Sequence, residues 1–237
     1  MTSDEGQRTK HVAGRPPSLP PGFTSLITAD SEIAEAARKL EYQIFIDEGF
    51  FPATDDGRIA EYGPYESQSI FHVVISSENE VIGVVRSLLG DYATLPVGHH
   101  APDRWDGFPT EPVCEYASLA IRPDMRKHLG IAEELYRSVF ALAWRSGVSG
   151  LVALVDPWLQ QLLNEYYGCQ FDQVGPEIDL HGFAVRPIGV ALVTLEQVMP
   201  VRVPQFWAWL VEGIEQAEIV IDLRDRISTT SGTGSTG

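Results

Sequence analysis

The segment from residue 113 to residue 155 constrains the fold more than any other part of the sequence. It begins with the apolar run VCEYASLAI, which predicts a strand, and continues through a basic loop into GIAEELYRSVFALAWRSG. The apolar residues of this second stretch recur at the period of an amphipathic helix, and Gly147 is a typical C-terminal stop signal. The run LVALV then predicts a buried strand. A strand, a helix and a strand in this order indicate a crossover connection within one sheet.

Helices and strands also alternate through the rest of the chain. The pattern predicts a helix over 31–50, a hairpin over 70–90, a helix over 156–168, strands over 169–175 and 183–195, and a helix over 204–217. This order is typical of an α/β or α+β protein with a mixed central sheet flanked by helices. We predict a single domain over 22–227. The polar, Pro- and Gly-rich residues 1–21 are expected to be disordered, and the Ser/Thr/Gly-rich residues 228–237 to form a flexible tail.

The acidic balance of the chain limits its partners. The 17 Lys and Arg residues against 33 Asp and Glu give a formal net charge of −16. Nucleic-acid binding and adhesion to anionic membranes both need a basic surface, so we expect neither. Cys114 and Cys169 lie far apart in apolar settings, which favours two free thiols over a disulfide. Because no signal peptide and no membrane-spanning run is recognisable, we expect a cytoplasmic protein without a membrane span.

The loop before the central helix gathers positive charge in this acidic chain. Arg126, Lys127 and His128 directly precede Leu129 and Gly130, where the helix begins. The first N–H groups of a helix lack partners and carry positive potential, and glycine lets a backbone approach an anion closely. The loop is therefore either a cradle for the phosphates of a ligand or an ordinary solvated start of a helix.

This loop resembles the acyl-CoA pyrophosphate signature of the GNAT acyltransferase superfamily. The signature is a strand, then Arg/Gln-x-x-Gly-x-Gly/Ala, then a helix, and it stands here as KHLGIA, with Lys127 in its first position. The stretch LLNEYYGCQF also resembles the superfamily's later helix, which commonly ends in Tyr shortly before Gly and Phe. The resemblance implies a GNAT-like fold and an acyl thioester as co-substrate. It assigns the phosphate contacts to Arg126, Lys127, His128, Leu129, Gly130, Ile131 and Ala132.

A narrower resemblance is to the acyl-homoserine-lactone synthases and the related N-acyl amino acid synthases. The stretches LEYQIFIDEGF, PYESQSIFHVVI, VIGVVRSL and CEYASLAI look like the blocks of these enzymes. They join a fatty acyl group, usually from acyl carrier protein, to an amine. The resemblance places Glu115 at the Glu of E-x-S-R. It implies substrate contacts for Phe45, Glu66, Arg86 and Ser118.

Several positions depart from the lactone synthases. Those enzymes have arginine where this chain has Glu41, Glu48 and Ser118. They have tryptophan in place of Phe51 and an acidic residue in place of Gly63. We therefore expect no homoserine-lactone product. The resemblance still implies an N-acyltransferase that moves an acyl group, fatty acyl included, from a CoA or acyl-carrier-protein thioester to a primary amine such as an amino acid. The alternatives are a short-chain N-acetyltransferase that uses acetyl-CoA and a non-catalytic GNAT-fold binding or sensing protein.

Amide formation from a thioester needs a base for the amine, a stabiliser of the oxyanion and an acid for the leaving thiolate. Glu115 is the candidate base, because burial in an apolar strand would raise its pKa; alternatively it faces solvent or pairs with Arg86. Tyr166 and Tyr167 are candidate acids, or they serve packing alone. Glu66 would bind the substrate ammonium or be an ordinary loop carboxylate.

Two further patterns have competing interpretations. His99 and His100 are adjacent, but no third ligand stands at a recognisable spacing, so we expect no metal site. The aromatic-rich stretch PQFWAWLVEG predicts a helix that covers the core, forms a wall for a long acyl chain or mediates a homodimer contact.

Overall fold

The computed structural model describes residues 12–29, 32–105, 111–128, 130–217 and 227–228. The strands are β1 Thr24–Thr28, β2 Ile70–Ile75, β3 Val81–Gly90, β4 Val113–Ile121, β5 Gly150–Val155, β6 Asp172–Gln173, β7 Ile178–Leu180, β8 Phe183–Ala191 and β9 Ile227–Ser228. The α-helices are α1 Glu32–Asp47, α2 Pro96–His100, α3 Ile131–Ser146, α4 Pro157–Glu165, α5 Leu192–Arg202 and α6 Pro204–Gln216. Short 3-10 helices cover Ala60–Gln68, Tyr92–Thr94 and Pro123–Met125.

The strands form one mixed central sheet, which confirms the predicted fold class. Its order is β1-β2-β3-β4-β5-β8-β6. Along this path β4 and β5 are parallel, and the other neighbours are antiparallel. The short strand β7 folds back on β8, and β9 pairs in parallel with the end of β3.

The sheet opens between its two parallel strands. β4 and β5 pair only at Cys114 with Leu151 and at Glu115 with Val152, and the two strands then separate. On its other edge β4 carries a bulge at Ala117, which lies between the residues paired to Ser87 and Arg86 of β3. A bulge bends a strand and changes the direction of its side chains. The separation and the bulge therefore create a gap in the middle of the sheet.

Helices α3 and α1 pack on opposite faces of this sheet. In α3 the fully buried residues recur at helical spacing, at Ile131, Leu135, Val139 and Leu142. Strand β2 contributes side chains to the hydrophobic core on both faces of the sheet, because successive side chains of a strand point to opposite sides. Its residues at even positions face α3, and its residues at odd positions face α1. Helices α5 and α6 extend the core on the α3 side.

The strand predicted over 183–195 is shorter than expected. It ends at Ala191, and the next residues form α5. The run ALVTL contains β-branched residues that favour a strand, yet Leu192, Leu195 and Met199 are buried at helical spacing. Tertiary burial therefore decides the conformation here, against the local pattern.

Residues 12–21 differ from the disordered segment that composition indicates for residues 1–21. Ala13 is buried, and its N–H donates a hydrogen bond to the carbonyl of Tyr166 at 2.8 Å. Arg15 forms a two-point ion pair with Glu212 of α6. Residues 1–11 lie outside the described residues, as do residues 229–237 of the predicted tail.

Among the described residues, no helix is both long enough and apolar enough to cross a membrane.

Candidate active site

The gap between β4 and β5 holds a cavity of about 310 Å³. We call it the carboxylate cavity, because three acidic side chains line it. Its polar lining residues are Glu61, Tyr62, His100, Glu115, Tyr116, Ser118 and Asp156. The rest of the wall consists of aromatic rings from α1, the loop after it and β8, and of aliphatic side chains from the strands.

Glu115 lies on β4 where β5 begins to separate. It is 2% exposed, and the N–H of Val97 in α2 donates to both of its carboxylate oxygens, at 3.0 and 3.2 Å. Burial raises the pKa of Glu115 from 4.5 to about 8, and the hydrogen bond from Val97 opposes part of that rise. A carboxyl group that titrates near neutral pH is suited to accept a proton from an ammonium group.

A second carboxylate, that of Glu61, lies beside two histidines. Its Oε1 contacts Nε2 of His181 at 2.8 Å. Its Oε2 is buried and accepts no hydrogen bond from the described residues. His100 also lines the cavity, and burial together with the neighbouring His99 lowers its pKa. Glu61 therefore presents one oxygen that is available to a ligand.

Aromatic rings form the wall opposite the strands. Phe45 and Phe51 stack with ring centroids 5.7 Å apart and planes at 12°, and Phe50 packs on Phe183 of β8 at 5.0 Å. Phe51 also meets the edge of His181 at 5.2 Å. The cavity thus combines a flat apolar surface with carboxylates.

Arg86 and Glu66, both predicted substrate contacts, belong to a buried ion network. Nη2 of Arg86 lies 2.6 Å from Oε2 of Glu41, and its Nη1 donates to Glu66 at 3.0 Å and to Ser69 at 2.8 Å. Arg38 donates to the second oxygen of Glu66 at 2.8 Å. These partners satisfy both predicted residues within the protein, and neither Arg86 nor Glu66 is among the described lining residues of the cavity.

Two departures from the lactone synthases meet in this network. Ser118 donates a hydrogen bond to Oε1 of Glu41, at positions where those enzymes are expected to have two arginines. Glu41 thereby neutralises Arg86 from inside the protein. The guanidinium of Arg86 lies 4.4 Å from the ring centroid of Tyr62, which is part of the cavity wall. The network therefore fixes this wall from behind.

A second cavity, of about 90 Å³, adjoins the first on the α3 side. We call it the apolar cavity, because its lining is almost entirely carbon. Residues of α3, α4, α5 and α6 enclose it, Phe206 among them. The two cavities share the lining residues Tyr116, Leu119, Val155 and Leu159. They meet where β4 and β5 separate.

The tyrosines around this junction have different environments. The hydroxyl of Tyr116 is buried and has no hydrogen-bond partner among the described residues. Tyr167 lines the apolar cavity and donates to Oε1 of Glu133 at 3.2 Å, and burial raises its pKa. Tyr166 is absent from both sets of described lining residues, and its carbonyl binds the N-terminal segment.

One of the three predicted basic residues in the loop before α3 is neutralised by the protein. Arg126 forms an ion pair with Glu48 and also donates to the carbonyl of Ile121 at 3.1 Å. Lys127 and His128 are exposed, and the predicted contact Leu129 lies outside the described residues. Of the two predicted residues in the first turn of α3, Ile131 is buried in the core and Ala132 is partly buried.

Gly130 has a conformation that only glycine adopts without strain, with φ at 103°. Its N–H donates to Oε2 of Glu133 at 3.0 Å. A Cβ at this position would lie 2.7 Å from the carbonyl oxygen of Pro17. The N-terminal segment therefore lies directly over the start of α3, where the phosphate contacts were predicted.

The structure brings only some of the predicted residues together. Phe45, Glu115 and Ser118 line the carboxylate cavity, and Tyr167 lines the adjoining apolar one. No substrate contact or catalytic role was predicted for Glu61, Tyr62, Tyr116, His100 or Phe183, which also line the carboxylate cavity. The adjacent histidines were the one visible signal for His100, whereas Phe183 comes from a distant hairpin that no local pattern connects to the site.

The remaining reactive groups are not arranged for catalysis. No group of three or more His, Cys, Asp or Glu side chains in the described part of the chain could hold a metal ion. Cys114 and Cys169 are free thiols, and burial raises the pKa of each to about 12. Neither thiol is therefore activated as a nucleophile.

Comparison with known proteins gives a family and a set of similar structures. Residues 36–191 match the family model of the N-acyl amino acid synthase FeeM. A CoA-dependent acyl-homoserine lactone synthase, BjaI, solved with SAM and isopentyl-CoA, is similar with a TM-score of 0.62 and 16% identity, over 85% of this chain and 94% of that one. The acyl-homoserine-lactone synthase LasI is similar with a TM-score of 0.59 and 15% identity, over 75% of this chain and 96% of that one. The structure of FeeM, from uncultured soil microbes, is similar with a TM-score of 0.50 and 13% identity, over 81% of this chain and 96% of that one.

No curated protein sequence matches the chain. At these identities the solved structures show the fold alone, which is the GNAT-like fold that the sequence predicted. The family model covers more than half of the chain, and it agrees with the resemblance carried by the sequence blocks. The chain therefore belongs to the N-acyl amino acid synthase family and is an N-acyltransferase that moves an acyl group from a thioester to an amine.

Proposed function

We propose that the amine binds in the carboxylate cavity, that the acyl chain occupies the apolar cavity, and that Glu115 is the base. The observation that carries this assignment is the junction of the two cavities where β4 and β5 separate. One side of the junction offers carboxylates and the other offers only carbon. A thioester whose carbonyl lies at this junction would place its acyl chain in the apolar cavity and meet the amine that is bound in the carboxylate cavity.

The reaction requires two proton transfers. Glu115 takes a proton from the bound ammonium, and the freed nitrogen lone pair attacks the thioester carbonyl to form the C–N bond. The backbone N–H at the Ala117 bulge is our candidate donor to the oxyanion. As the intermediate collapses, the C–S bond breaks, the thiolate leaves as a thiol, and the nitrogen loses its second proton. The products are an amide, a thiol and one proton released from Glu115 to solvent.

Tyr116 is better placed than the predicted Tyr166 or Tyr167 to protonate the thiolate. Tyr116 lines both cavities and its buried hydroxyl has no partner in the described part of the chain, whereas the hydroxyl of Tyr167 is engaged by Glu133. Tyr116 would recover its proton from the nitrogen of the intermediate. We therefore assign the acid role to Tyr116 and a packing role to the other two.

The donor's phosphates would contact the start of α3, at the segment from Arg126 to Ala132. The first N–H groups of this 16-residue helix and the exposed Lys127 favour an anion there. Because Glu133 accepts from the Gly130 N–H, a phosphate would have to replace its carboxylate. Both CoA and an acyl carrier protein present such a phosphate, and we keep both as donors.

The apolar cavity favours a fatty acyl group over an acetyl group. An acetyl group would leave this cavity unfilled, whereas a longer chain would bury apolar surface against its carbon walls. Phe206 of α6 is one of these walls, so the aromatic helix contributes to the proposed chain site. A homodimer contact by this helix stays a prediction, which the mass of the native protein would test.

The proposed cellular location is the cytoplasm. Its support is chemical: both described cysteines are free thiols, as is usual in reducing compartments.

Release of free thiol tests the proposed function. The purified full chain is incubated with acetyl-CoA, octanoyl-CoA or dodecanoyl-CoA and a mixture of primary amines, and the amide product is identified by mass. We expect amide formation to be fastest with the longer chains, and Glu115→Gln to bind donor but turn over slowly. Preferred use of acetyl-CoA would establish the short-chain alternative. If only acylated carrier protein were used, the donor would be the carrier.

A further inference from the structure

The carboxylate cavity has acidic groups, and its basic neighbours among the described residues are histidines, namely His100 in the lining and His181 on Oε1 of Glu61. Its described lining contains Glu61, Glu115 and Asp156, and neither an arginine nor a lysine is among those residues. His100 supplies no compensating charge near neutral pH, because burial lowers its pKa. A carboxylate ligand is normally bound by Arg, by Lys or by backbone N–H groups at a helix start. The first two are missing from this part of the structure.

The helix starts beside the cavity are already occupied by side chains of the protein. The N–H of Val97 in α2 donates to Glu115, and the N–H of Trp158 in α4 donates to Asp156 at 2.6 Å. Both amides therefore already serve carboxylates that belong to the chain. A ligand carboxylate at either position would have to displace the protein's own carboxyl group from its amide, and beside Asp156 it would also meet a like charge.

Two of the three hydroxyl groups in the described lining are engaged by the protein, and only that of Tyr116 has no partner among the described residues. Tyr62 donates to the carbonyl of Ala117 at 2.8 Å, and Ser118 donates to Glu41. Arg86 lies behind this wall and is neutralised by Glu41 and Glu66. The polar groups of the cavity that remain available are thus mainly acceptors.

An ammonium group, unlike a carboxylate, would find binding partners in this cavity. The buried Oε2 of Glu61 has no hydrogen-bond donor among the described residues, and an ammonium would supply one. The aromatic wall attracts a cation through the ring faces and offers a flat apolar surface to the rest of the molecule.

We infer that the acceptor is a primary amine with a flat apolar body and without a carboxylate group, an arylalkylamine, and not an α-amino acid. The inference rests on the proposed function, because it takes the carboxylate cavity as the amine site. Glu61 binds the ammonium, and the rings of the wall hold the apolar body. The product is then an uncharged fatty amide.

Matched substrates test this directly. 2-Phenylethylamine and L-phenylalanine differ by one carboxylate, and L-phenylalaninamide replaces that carboxylate by a neutral amide. With dodecanoyl-CoA and the full chain, we expect kcat/KM for 2-phenylethylamine to exceed that for L-phenylalanine by about tenfold or more. L-Phenylalaninamide should resemble the amine. Equal or better use of L-phenylalanine would overturn the inference and leave the proposed N-acyl transfer intact.

Two variants probe the same charges. Glu61→Gln should raise KM for 2-phenylethylamine, whereas Glu80→Gln, which alters an exposed carboxylate paired with Arg122, should not. Phe183 is 40% exposed at the cavity, so Phe183→Arg places a cation at its rim. That variant should reduce the discrimination against L-phenylalanine, and Phe183→Leu should retain it. Unchanged discrimination in Phe183→Arg together with unchanged KM in Glu61→Gln would contradict the inference.

Calorimetry separates the inference from the proposed function. If no amine is acylated, direct titration of the protein with 2-phenylethylamine and with L-phenylalanine still decides the acceptor class. Binding of the amine alone would support the inference while the chemistry of the proposed function fails. Absence of amine binding, or tighter binding of L-phenylalanine, would overturn it.

Discussion

Glu41 and Arg86 form an ion pair of 2.6 Å in which each side chain is 1% exposed. Glu41 lies on α1 and Arg86 on β3, so the pair ties the helix to the sheet. Ser118 on β4 donates to the same carboxylate. Helix α1 and strands β3 and β4 are thus joined by one charged group.

Removal of Glu41 should leave Arg86 partly uncompensated in the core. We expect Glu41→Leu to lower the free energy of unfolding by about 3 kcal/mol, because breaking a buried pair strands the remaining charge. Glu35→Ala, which breaks partly exposed pairs from the same helix, should cost less than about 1 kcal/mol. Urea unfolding measures both. The double variant Glu41→Leu, Arg86→Met should lose less than the sum of its single variants, and strict additivity would show that the pair has no coupling energy.

The local sequence pattern was sufficient to predict an element whose buried residues recur at a regular spacing along its own sequence. In α3, the apolar residues 131, 135, 139 and 142 share one face, and the structure buries all four of them. Gly147 ends the helix with φ at 71°, as the stop signal predicted. The order of strands around α3 follows from the same segment. The fold class was therefore predictable from contacts of short sequence separation.

Pairing across long sequence separation was not predictable in the same way. Glu41 and Arg86 are 45 residues apart, and neither carries a local sign of its partner. Phe183 reaches Phe50 across more than a hundred residues. The sequence consequently predicted the burial of Glu115 from its apolar strand, but it could not decide between a substrate and a role within the protein for Arg86 and Glu66, which the structure pairs with each other.

The pH dependence of turnover should follow Glu115. Because only the ionised carboxylate accepts a proton, we expect kcat/KM to rise with pH through about 8, the pKa that burial gives this group. Glu115→Gln keeps an acceptor for the Val97 N–H but cannot take a proton, so its rate should be at least about 100-fold lower and lose this limb of the profile. Initial rates from pH 6 to pH 9.5 provide the measurement. A similar rise in Glu115→Gln would assign the base to another group.

The same group should make folding stability depend on pH. Its folded-state pKa is raised from 4.5 to about 8, so the folded protein binds this proton more tightly than the unfolded chain. The resulting stabilisation is fully present below pH 4.5 and is lost as pH rises through about 8. Wild type should therefore lose stability relative to Glu115→Gln between pH 5 and pH 9 in urea unfolding. A constant difference across this range would show that Glu115 titrates normally.

Gly130 can be tested against a second glycine of similar backbone strain. Gly130→Ala and Gly147→Ala both place a side chain at positive φ, but only the first brings a Cβ to 2.7 Å from the Pro17 carbonyl. Gly147→Ala should lower the free energy of unfolding by about 1 kcal/mol, and Gly130→Ala by more. We also expect only Gly130→Ala to weaken binding of acyl-CoA in calorimetry. Equal donor binding by the two variants would argue against a phosphate site at this helix start.

Tyr116 and Tyr167 offer the sharpest comparison of catalytic and structural tyrosines. Tyr116→Phe removes a hydroxyl that has no partner in the described structure, so the protein should keep its stability while the kcat for thiol release falls. Tyr167→Phe removes a hydrogen bond to Glu133, so it should cost about 1 kcal/mol of stability and leave kcat nearly unchanged. Donors with a more acidic leaving thiol need less protonation, and they should restore most of the rate in Tyr116→Phe. A larger loss of kcat in Tyr167→Phe, restored by the same donors, would return the acid role to Tyr167.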